Sequence, residues 1–193
     1  MQVQKEELRL QILEAAKQEF LAKGYENSSM RTIAKKANTT LGNIYHYFQN
    51  KEDLLNTLLT PAVQNLEIFA KEHLDQKEEY HSFEEIELAF HEIDDNIDQT
   101  IFQYLMDERL LILFDLKTTR FVDVREDFIA RCKKHMQFHL KLNDDSKYLE
   151  IITEMFIHCI RHILLEQKNP KDAKKEFMKV FRMLCTGITS IEE

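Results

Sequence analysis

The helical spacing of apolar residues constrains this chain more than any other feature. Within most segments between Ile12 and Leu184, leucine, isoleucine and phenylalanine recur at three- or four-residue spacing, and no segment alternates apolar and polar residues as a half-buried strand would. The 193 residues include only three glycines and two prolines, so the turn residues of a many-stranded fold are missing. The sequence therefore predicts an all-α protein of about nine helices.

Charge divides the chain into two parts. Through Lys51 there are eight Lys and Arg against five Glu, a balance of +3, whereas the remaining residues carry −11 of the total of −8. A small basic head followed by an acidic body is typical of a nucleic-acid reader with a separate non-binding domain. We therefore predict a first domain at residues 1–50 and a second, helical domain at residues 51–193.

Residues 28–55 combine three helix starts and a tight turn. Asn38 tolerates the left-handed backbone that ends a helix. The side chains suited to helix caps are those of Ser28, Ser29, Thr39 and Thr40. In the short helix that follows, Ile44 and Phe48 lie four residues apart and should point inward. The side chains then left outward are Asn43, Tyr45, His46 and Tyr47. An amide, an imidazole and two phenols suit the base edges and phosphates of a DNA major groove.

This stretch resembles the N-terminal helix-turn-helix of the TetR/AcrR family of bacterial transcriptional regulators, over about residues 8–56. The matching elements are Ile12, Ala15, Ala16, Phe20, Gly24-Tyr25, Ser29-x-Arg31-x-Ile33-Ala34, Ala37, Thr40, Gly42, Ile44-Tyr45-x-Tyr47-Phe48 and Lys51-Glu52-x-Leu54-Leu55. One departure is Asn38-Thr39, where the family usually has Gly-Val. Asn can supply the same turn, but Thr makes a weaker apolar plug between the two helices.

The resemblance implies three helices in the head, a linking fourth helix, and a helical ligand-binding and dimerisation body. It implies a homodimeric transcriptional regulator, by default a repressor, that a small-molecule effector releases from a palindromic double-stranded DNA operator. No cofactor is implied. The residues that the resemblance places on DNA bases, phosphates or the groove edge are Ser28, Ser29, Arg31, Thr39, Thr40, Asn43, Tyr45, His46, Tyr47 and Lys51.

Apolar residues of the body suggest a ligand pocket and a dimer surface. Family members hold a ligand inside the body, and the candidate lining residues, which fit plain core equally well, are Met106, Leu110, Phe114, Phe128, Phe138, Met155 and Phe156. The last two helices have more apolar width than one core face needs, which favours a symmetric four-helix bundle between two copies. The predicted dimer residues are Ile152, Phe156, Ile160, Ile163, Phe177, Phe181 and Leu184.

Three other features have two readings each. The pairs His135/His139 and His158/His162 have the i, i+4 spacing of helical metal ligands, but eight histidines in a helical chain also give such pairs by chance. Residues 84–98 hold seven acids, which describe the wet face of a helix better than a lining for a cation. Pro61 indicates either a kink or break in the fourth helix, between head and body, or the end of that helix with the proline in the first turn of a new one.

The remaining signals bound the location and the class. The N-terminus is charged with no apolar run behind it, which predicts no signal peptide, and no stretch reaches the ~20 apolar residues of a membrane span. The cysteines Cys132, Cys159 and Cys185 are odd in number and fit reduced thiols in a cytoplasm. An enzyme would need one of the histidine pairs for its chemistry, and a protein-docking module would not need a basic head. We therefore expect a cytoplasmic, non-enzymatic regulator without a metal.

Overall fold

The computed structural model describes residues 2–77, 88, 101–140, 147–166 and 169–189, and within these ranges every regular element is a helix. The all-α prediction is confirmed. The eight described α-helices are α1 (Gln2–Lys23), α2 (Met30–Lys36), α3 (Leu41–Tyr47), α4 (Lys51–Phe69), α5 (Arg109–Asp115), α6 (Phe121–Leu140), α7 (Lys147–Glu166) and α8 (Pro170–Thr189). A π-helix, Ala70–Leu74, follows α4 directly, and a 3-10 helix, Ile101–Met106, precedes α5. Apart from Leu88, the acidic segment 84–98 lies outside the described residues.

Side-chain caps begin the helices of the N-terminal region where the sequence predicts them. The hydroxyl of Ser29 accepts the Thr32 amide at 3.2 Å and caps α2, and the hydroxyl of Thr40 caps α3. Asn50 caps α4 by accepting the Asp53 amide at 2.8 Å. These oxygens satisfy backbone donors that the first turn of a helix cannot pair internally.

Two residues adopt left-handed backbone at the ends of α1 and α2. Gly24, with φ +76°, ends α1, and its amide donates to the Phe20 carbonyl at 2.8 Å. Asn38, with φ +48°, follows α2 and turns the chain toward α3. The prediction that Asn38 supplies the turn usually made by glycine is therefore confirmed.

The α-helix does not end at Pro61, so neither boundary expected there is formed. Helix α4 runs from Lys51 to Phe69 with Pro61 inside it. Proline removes one helical hydrogen bond. However, Leu59 and Ala62 on either side of it are fully buried. Packing on both sides of the proline keeps the backbone helical.

The chain forms two compact units, and the first is larger than the predicted domain at residues 1–50. It consists of the residues up to Gln64 together with Arg109–Arg125. Helix α5 is buried on all sides in this unit, with Leu110 and Leu113 completely inaccessible. The compact units are defined by packing, whereas the boundary predicted at residue 50 separates the region expected to bind DNA from the rest. That boundary stays a prediction.

Two arginines bind backbone carbonyls in the first unit. The guanidinium of Arg125 donates to the Leu116 carbonyl at 2.6 Å and to the Phe114 carbonyl at 3.4 Å. Arg109 donates to the Leu58 carbonyl at 3.4 Å. Phe114 and Leu116 lie at the end of α5, where a cation can pair carbonyls that the helix itself leaves without a partner. These contacts hold residues 109–125 in the same unit as the N-terminal helices.

The second unit consists of Asn65–Glu108 and Glu126–Glu193, and an arginine joins two of its elements. Arg131 donates to both carboxylate oxygens of Asp75, at 2.6 and 3.1 Å, and to Glu67 at 2.6 Å. The hydrogen bonds that Arg131 donates to Asp75 and Glu67 raise its pKa above the ordinary value. Bidentate pairing of this kind fixes geometry as well as charge.

A cluster of three imidazoles lies in the interior of the second unit. The ring of His73, in the π-helix, is 4.6 Å from that of His135, which is 4.5 Å from that of His139. The ring nitrogen Nδ1 of His135 lies 3.2 Å from the Leu74 carbonyl oxygen, so it must donate. Burial and the neighbouring imidazoles lower the pKa of His73 to about 3 and that of His135 to about 4. The cluster is therefore neutral at physiological pH.

No helix among the described ranges is long and apolar enough to pass through a bilayer. Of the three cysteines, Cys132 is buried and Cys159 half-buried, both as free thiols, and burial raises the pKa of Cys132 to about 12. The side chain of Cys185 lies outside the described part of the chain.

Mild acid should destabilise the second unit through these histidines. The unfolded chain takes up protons below about pH 6.5, whereas folded His73 and His135 resist protonation until much lower pH, so stability is complete above about pH 7. It should fall by up to about 1.4 kcal/mol per histidine for each pH unit below 6.5. Urea unfolding followed between pH 7 and 5, above the range where carboxylates titrate, measures this slope.

The substitution His73→Phe should flatten that slope, because the ring is kept and the titration removed. His46→Gln, which removes an exposed imidazole from the first unit, is the matched control, and its slope should stay steeper than that of His73→Phe. An equal slope in the wild-type protein and in the His73→Phe variant would contradict this account.

Candidate nucleic-acid interface

The interface is built on a short helix whose inner face is fully buried. Ile44 is 0% and Phe48 2% exposed, and Ile33 of α2 is also 0% exposed. The guanidinium of Arg9 lies 5.8 Å from the Phe48 ring centroid, on which it can make a cation–π contact. With Ile44 and Phe48 held inward, the polar side chains between them must face out, as the sequence predicts.

The outward face of α3 presents the expected polar and aromatic groups. Tyr45 is 51% exposed, Asn43 and His46 are exposed, and Tyr47 is half-buried. The Asn43 amide donates to the Thr39 hydroxyl at 3.0 Å, so its orientation is fixed. The rings of His46 and Tyr47 meet edge-on at 5.7 Å. The face is both accessible and partly preorganised.

The other residues that the sequence predicts to contact DNA differ in their exposure. Ser29, Arg31 and Thr40 are exposed and Thr39 is half-buried. Ser28 is only 7% exposed, and its hydroxyl donates to the Tyr25 carbonyl at 2.6 Å. Ser28 is therefore a buried residue of the turn in the free protein, and its predicted contact with DNA stays a prediction.

Lys51 is turned toward the protein. Its ammonium donates to the Tyr25 carbonyl at 2.7 Å, to the Ser28 carbonyl at 3.1 Å and to the Glu26 carbonyl at 3.4 Å. It also lies 4.3 Å from the Tyr25 ring centroid. Burial lowers the pKa of Lys51. A lysine ammonium has three hydrogens, so these carbonyls engage all of them.

The sequence analysis missed a buried acid beneath this surface. Glu19 of α1 is completely inaccessible, and its carboxylate pairs with Lys36 of α2 at 2.7 Å and with Lys23 at 3.3 Å. The hydrogen bond from Lys36 lowers the pKa of Glu19. Since Glu19 sits among the apolar positions of α1, its position in the helical pattern could have revealed it.

The predicted ligand residues are spread over both compact units. Leu110 and Phe114 are buried in the first unit, and Phe128 and Phe156 are buried in the second. Also in the second unit, Met106 and Phe138 are half-buried and Met155 is 40% exposed. Met155 therefore points to the surface of the single chain. The pocket remains a prediction.

The predicted dimer residues are mostly core residues of the single chain. Exposure is 9% or less for six of the seven, and Phe181 is half-buried. The six are Ile152, Phe156, Ile160, Ile163, Phe177 and Leu184. The Phe177 and Phe181 rings stack at 5.6 Å, with Phe156 beside them. The sequence analysis chose the most apolar stripe of each helix, and that stripe is mostly buried in the single chain; the dimer assignment stays a prediction.

The histidine pairs do not form a metal centre in the described part of the chain. Within it, no group of three or more His, Cys, Asp or Glu side chains is arranged to hold a metal ion. His135 and His139 belong to the half-buried imidazole cluster, whereas His158 and His162 are exposed on α7.

Helix α3 has an exposed polar face and packs against α2, which packs against α1. This arrangement is typical of a helix-turn-helix domain. A family model described as "Bacterial regulatory proteins, tetR family" matches residues 12–58. This N-terminal part of the chain is therefore similar to bacterial regulatory proteins of the tetR family.

Curated relatives match this chain over less than half of its length. The HTH-type transcriptional regulator YhgD of Bacillus subtilis is 36% identical over 70 residues, which cover 36% of this chain and 37% of that protein. The fatty acid metabolism regulator protein of Bacillus subtilis is 37% identical over 79 residues, covering 39% and 41%. The chain thus spans about two fifths of the curated relatives that it matches.

A solved structure extends the similarity of fold to most of the chain. Mycobacterium smegmatis AmtR has a TM-score of 0.53 and 17% identity, and the match covers 93% of this chain and 91% of that one. At this identity the match shows a common fold.

Removing the cap of α3 should loosen this helix. Thr40→Ala deletes the oxygen that accepts the Asn43 amide at 3.1 Å, and loss of an N-cap costs about 1 kcal/mol. Thr40→Ser keeps the hydroxyl and is the matched control. Urea unfolding measures the difference in the free energy of unfolding, and an equal loss in both variants would show that the hydroxyl is not the cause.

Proposed function

We propose that this protein is a sequence-specific, DNA-binding transcriptional repressor of the TetR type, acting in the cytoplasm. Two copies bind a palindromic operator, and a small ligand bound by the second unit releases them. This is a regulatory role, with no enzymatic step.

The observation that carries the proposal is the outward face of α3. Asn43, Tyr45 and His46 are exposed on a seven-residue helix whose opposite side is anchored by buried Ile44 and Phe48. A second N–H and the carbonyl oxygen of Asn43 can pair with an adenine edge, and the His46 imidazole can meet a base or a phosphate. The local balance of +3 favours a polyanion.

Substitutions on α3 should change which sequences are bound. Asn43→Ala and His46→Ala should each reduce discrimination at one or two base positions by about 1–3 kcal/mol, because a base contact is lost. Selection from random duplexes, repeated with each variant, measures the change. Lys51→Ala is the comparison, and it should weaken all duplexes alike. If both α3 variants also lost affinity equally on every duplex, α3 would contact phosphates alone.

Salt dependence separates two roles of Lys51. A phosphate contact would reduce the slope of log affinity against log salt by about 0.9 on substitution. The three carbonyls around its ammonium instead support a role in holding the turn 25–28, which leaves this slope unchanged.

The dimer requires an exposed surface, and α7 supplies one opposite its core face. The exposed side chains that we call the α7 stripe follow a three- and four-residue spacing along the helix, and they are Tyr148, Ile151, Met155, His158, His162 and Leu165. Such spacing forms a continuous seam for a second helix. The extra apolar width expected of this helix is therefore real, but its outer face carries the dimer proposal.

The α7 stripes of two copies are complementary when the two helices run antiparallel. Around a two-fold axis near the middle of the helix, Tyr148 meets Leu165, and exposed Lys147 meets exposed Glu166 of the second copy. The acidic half of the helix, with Glu150 and Glu154, then faces the half that carries histidines and Arg161. A parallel pairing would place like charges together.

An acid on the α7 stripe should separate the two copies. Ile151 is 60% exposed, so Ile151→Asp leaves the single chain folded but buries two carboxylates in a dimer. We expect the dimer to weaken roughly 100-fold or more, measured by sedimentation equilibrium. The matched control is Leu10→Asp in α1, where Leu10 is 55% exposed. If Ile151→Asp dimerised as the wild type does, the α7 stripe would not be the interface.

We propose that the small ligand binds in the aromatic interior of the second unit. Phe128 and Phe156 are buried there, and the imidazole cluster supplies polar groups beside Phe69 and Phe138. An apolar interior with a few polar groups is typical of a small-molecule site. The ligand must bind the DNA-incompetent state better, and such coupling is typically about 1–3 kcal/mol.

A further inference from the structure

The turn between α1 and α2 is held from two sides. On one side, the Lys51 ammonium binds the carbonyls of Tyr25, Glu26 and Ser28. Ser28 is buried and directly precedes Ser29, the cap of α2. A shift of this turn therefore moves the start of α2, which packs against α3.

On the other side, the side chain of Glu26 binds the loop between α5 and α6. Its Oε1 atom accepts the Lys117 amide at 3.1 Å and the Thr118 hydroxyl at 3.4 Å. These residues lie about ninety positions apart in the sequence, yet all belong to the first unit. Hydrogen bonds to an ionised carboxylate are stronger than those between neutral groups.

The loop that Glu26 binds contains a backbone conformation that its sequence disfavours. Thr119 has φ +84°, a value that β-branched residues rarely adopt. Its hydroxyl accepts the Phe121 amide at 3.4 Å, at the first residue of α6. A strained residue persists only where its surroundings hold it. The Glu26 contacts, one and two positions earlier, are part of that restraint.

We propose that Glu26 is a positioning residue of the DNA-reading helices. By binding Lys117 and Thr118, it couples residues 109–125 to the turn 25–28 and thus to α2 and α3. Both ends of the 109–125 segment continue in the chain into the second unit, so a change there can reach the reading helix through this contact. This inference rests on the proposed function, because it assigns a regulatory contact to the DNA-binding unit.

Amide hydrogen exchange tests the contact without DNA. In Glu26→Ala, the Lys117 amide loses its acceptor and should exchange roughly tenfold faster, and the amides of α3 should also exchange faster. The centre of α1, around Ala16, should be unchanged. Glu26→Gln keeps an acceptor oxygen, so its exchange rates should lie between those of the wild-type protein and those of Glu26→Ala.

DNA binding tests the consequence of the contact. Glu26→Ala should lower operator affinity roughly tenfold, with an unchanged salt slope. Glu7→Ala is the matched control, because it removes the same charge from an exposed position of α1. Losing an acid from the head should by itself favour DNA, so weaker binding in Glu26→Ala alone points to positioning.

Each outcome decides the inference. Unchanged exchange at Lys117 in Glu26→Ala would overturn the contact, and unchanged exchange in α3 would overturn the coupling. Equal operator affinity in the Glu26→Ala and Glu7→Ala variants would also overturn the positioning role. If the wild-type protein bound no duplex, the proposed function would fail, whereas the exchange results would still decide whether Glu26 couples the two segments.

Discussion

Burial of Ile44 and Phe48 is the constraint on which the rest of the N-terminal unit depends. Helices α2 and α3 have seven residues each, and isolated helices of that length are unstable in water. Two anchored side chains and a threonine cap hold α3 in place. The same anchoring forces the intervening polar side chains outward, so stability of the helix and exposure of the reading face have one cause.

Several charged side chains of this protein form hydrogen bonds with backbone groups. Lys51 binds three carbonyls of a turn, Arg125 binds the carbonyls that end α5, and Glu26 accepts a backbone amide. Buried backbone groups that lack a partner are costly, so these side chains stabilise the turns and helix ends on which the reading helix rests. This explains how a compact unit can include residues 109–125, far along the sequence.

Helix α7 illustrates how apolar pattern and interface differ. Its unusual apolar width was readable from the sequence, and the structure shows two apolar faces. The inner one contains Ile152, Phe156 and Ile160, and the outer one contains Ile151, Met155 and Leu165. Periodicity gives the angular width of an apolar surface, but only packing decides which edge of it faces the core. The more apolar edge went inside, because burial there gains the most.

Local sequence was enough to predict the all-α class, the caps of α2 and α3, the turn at Asn38 and the outward face of α3. These features depend on residues within a few positions of each other, where spacing and cap chemistry suffice. Tertiary structure alone decided that Ser28 is buried, that Lys51 faces carbonyls, that Glu26 meets Lys117, and that His73 joins His135. Such contacts join residues that are distant in sequence, and no local pattern specifies which distant groups will meet once the helices pack.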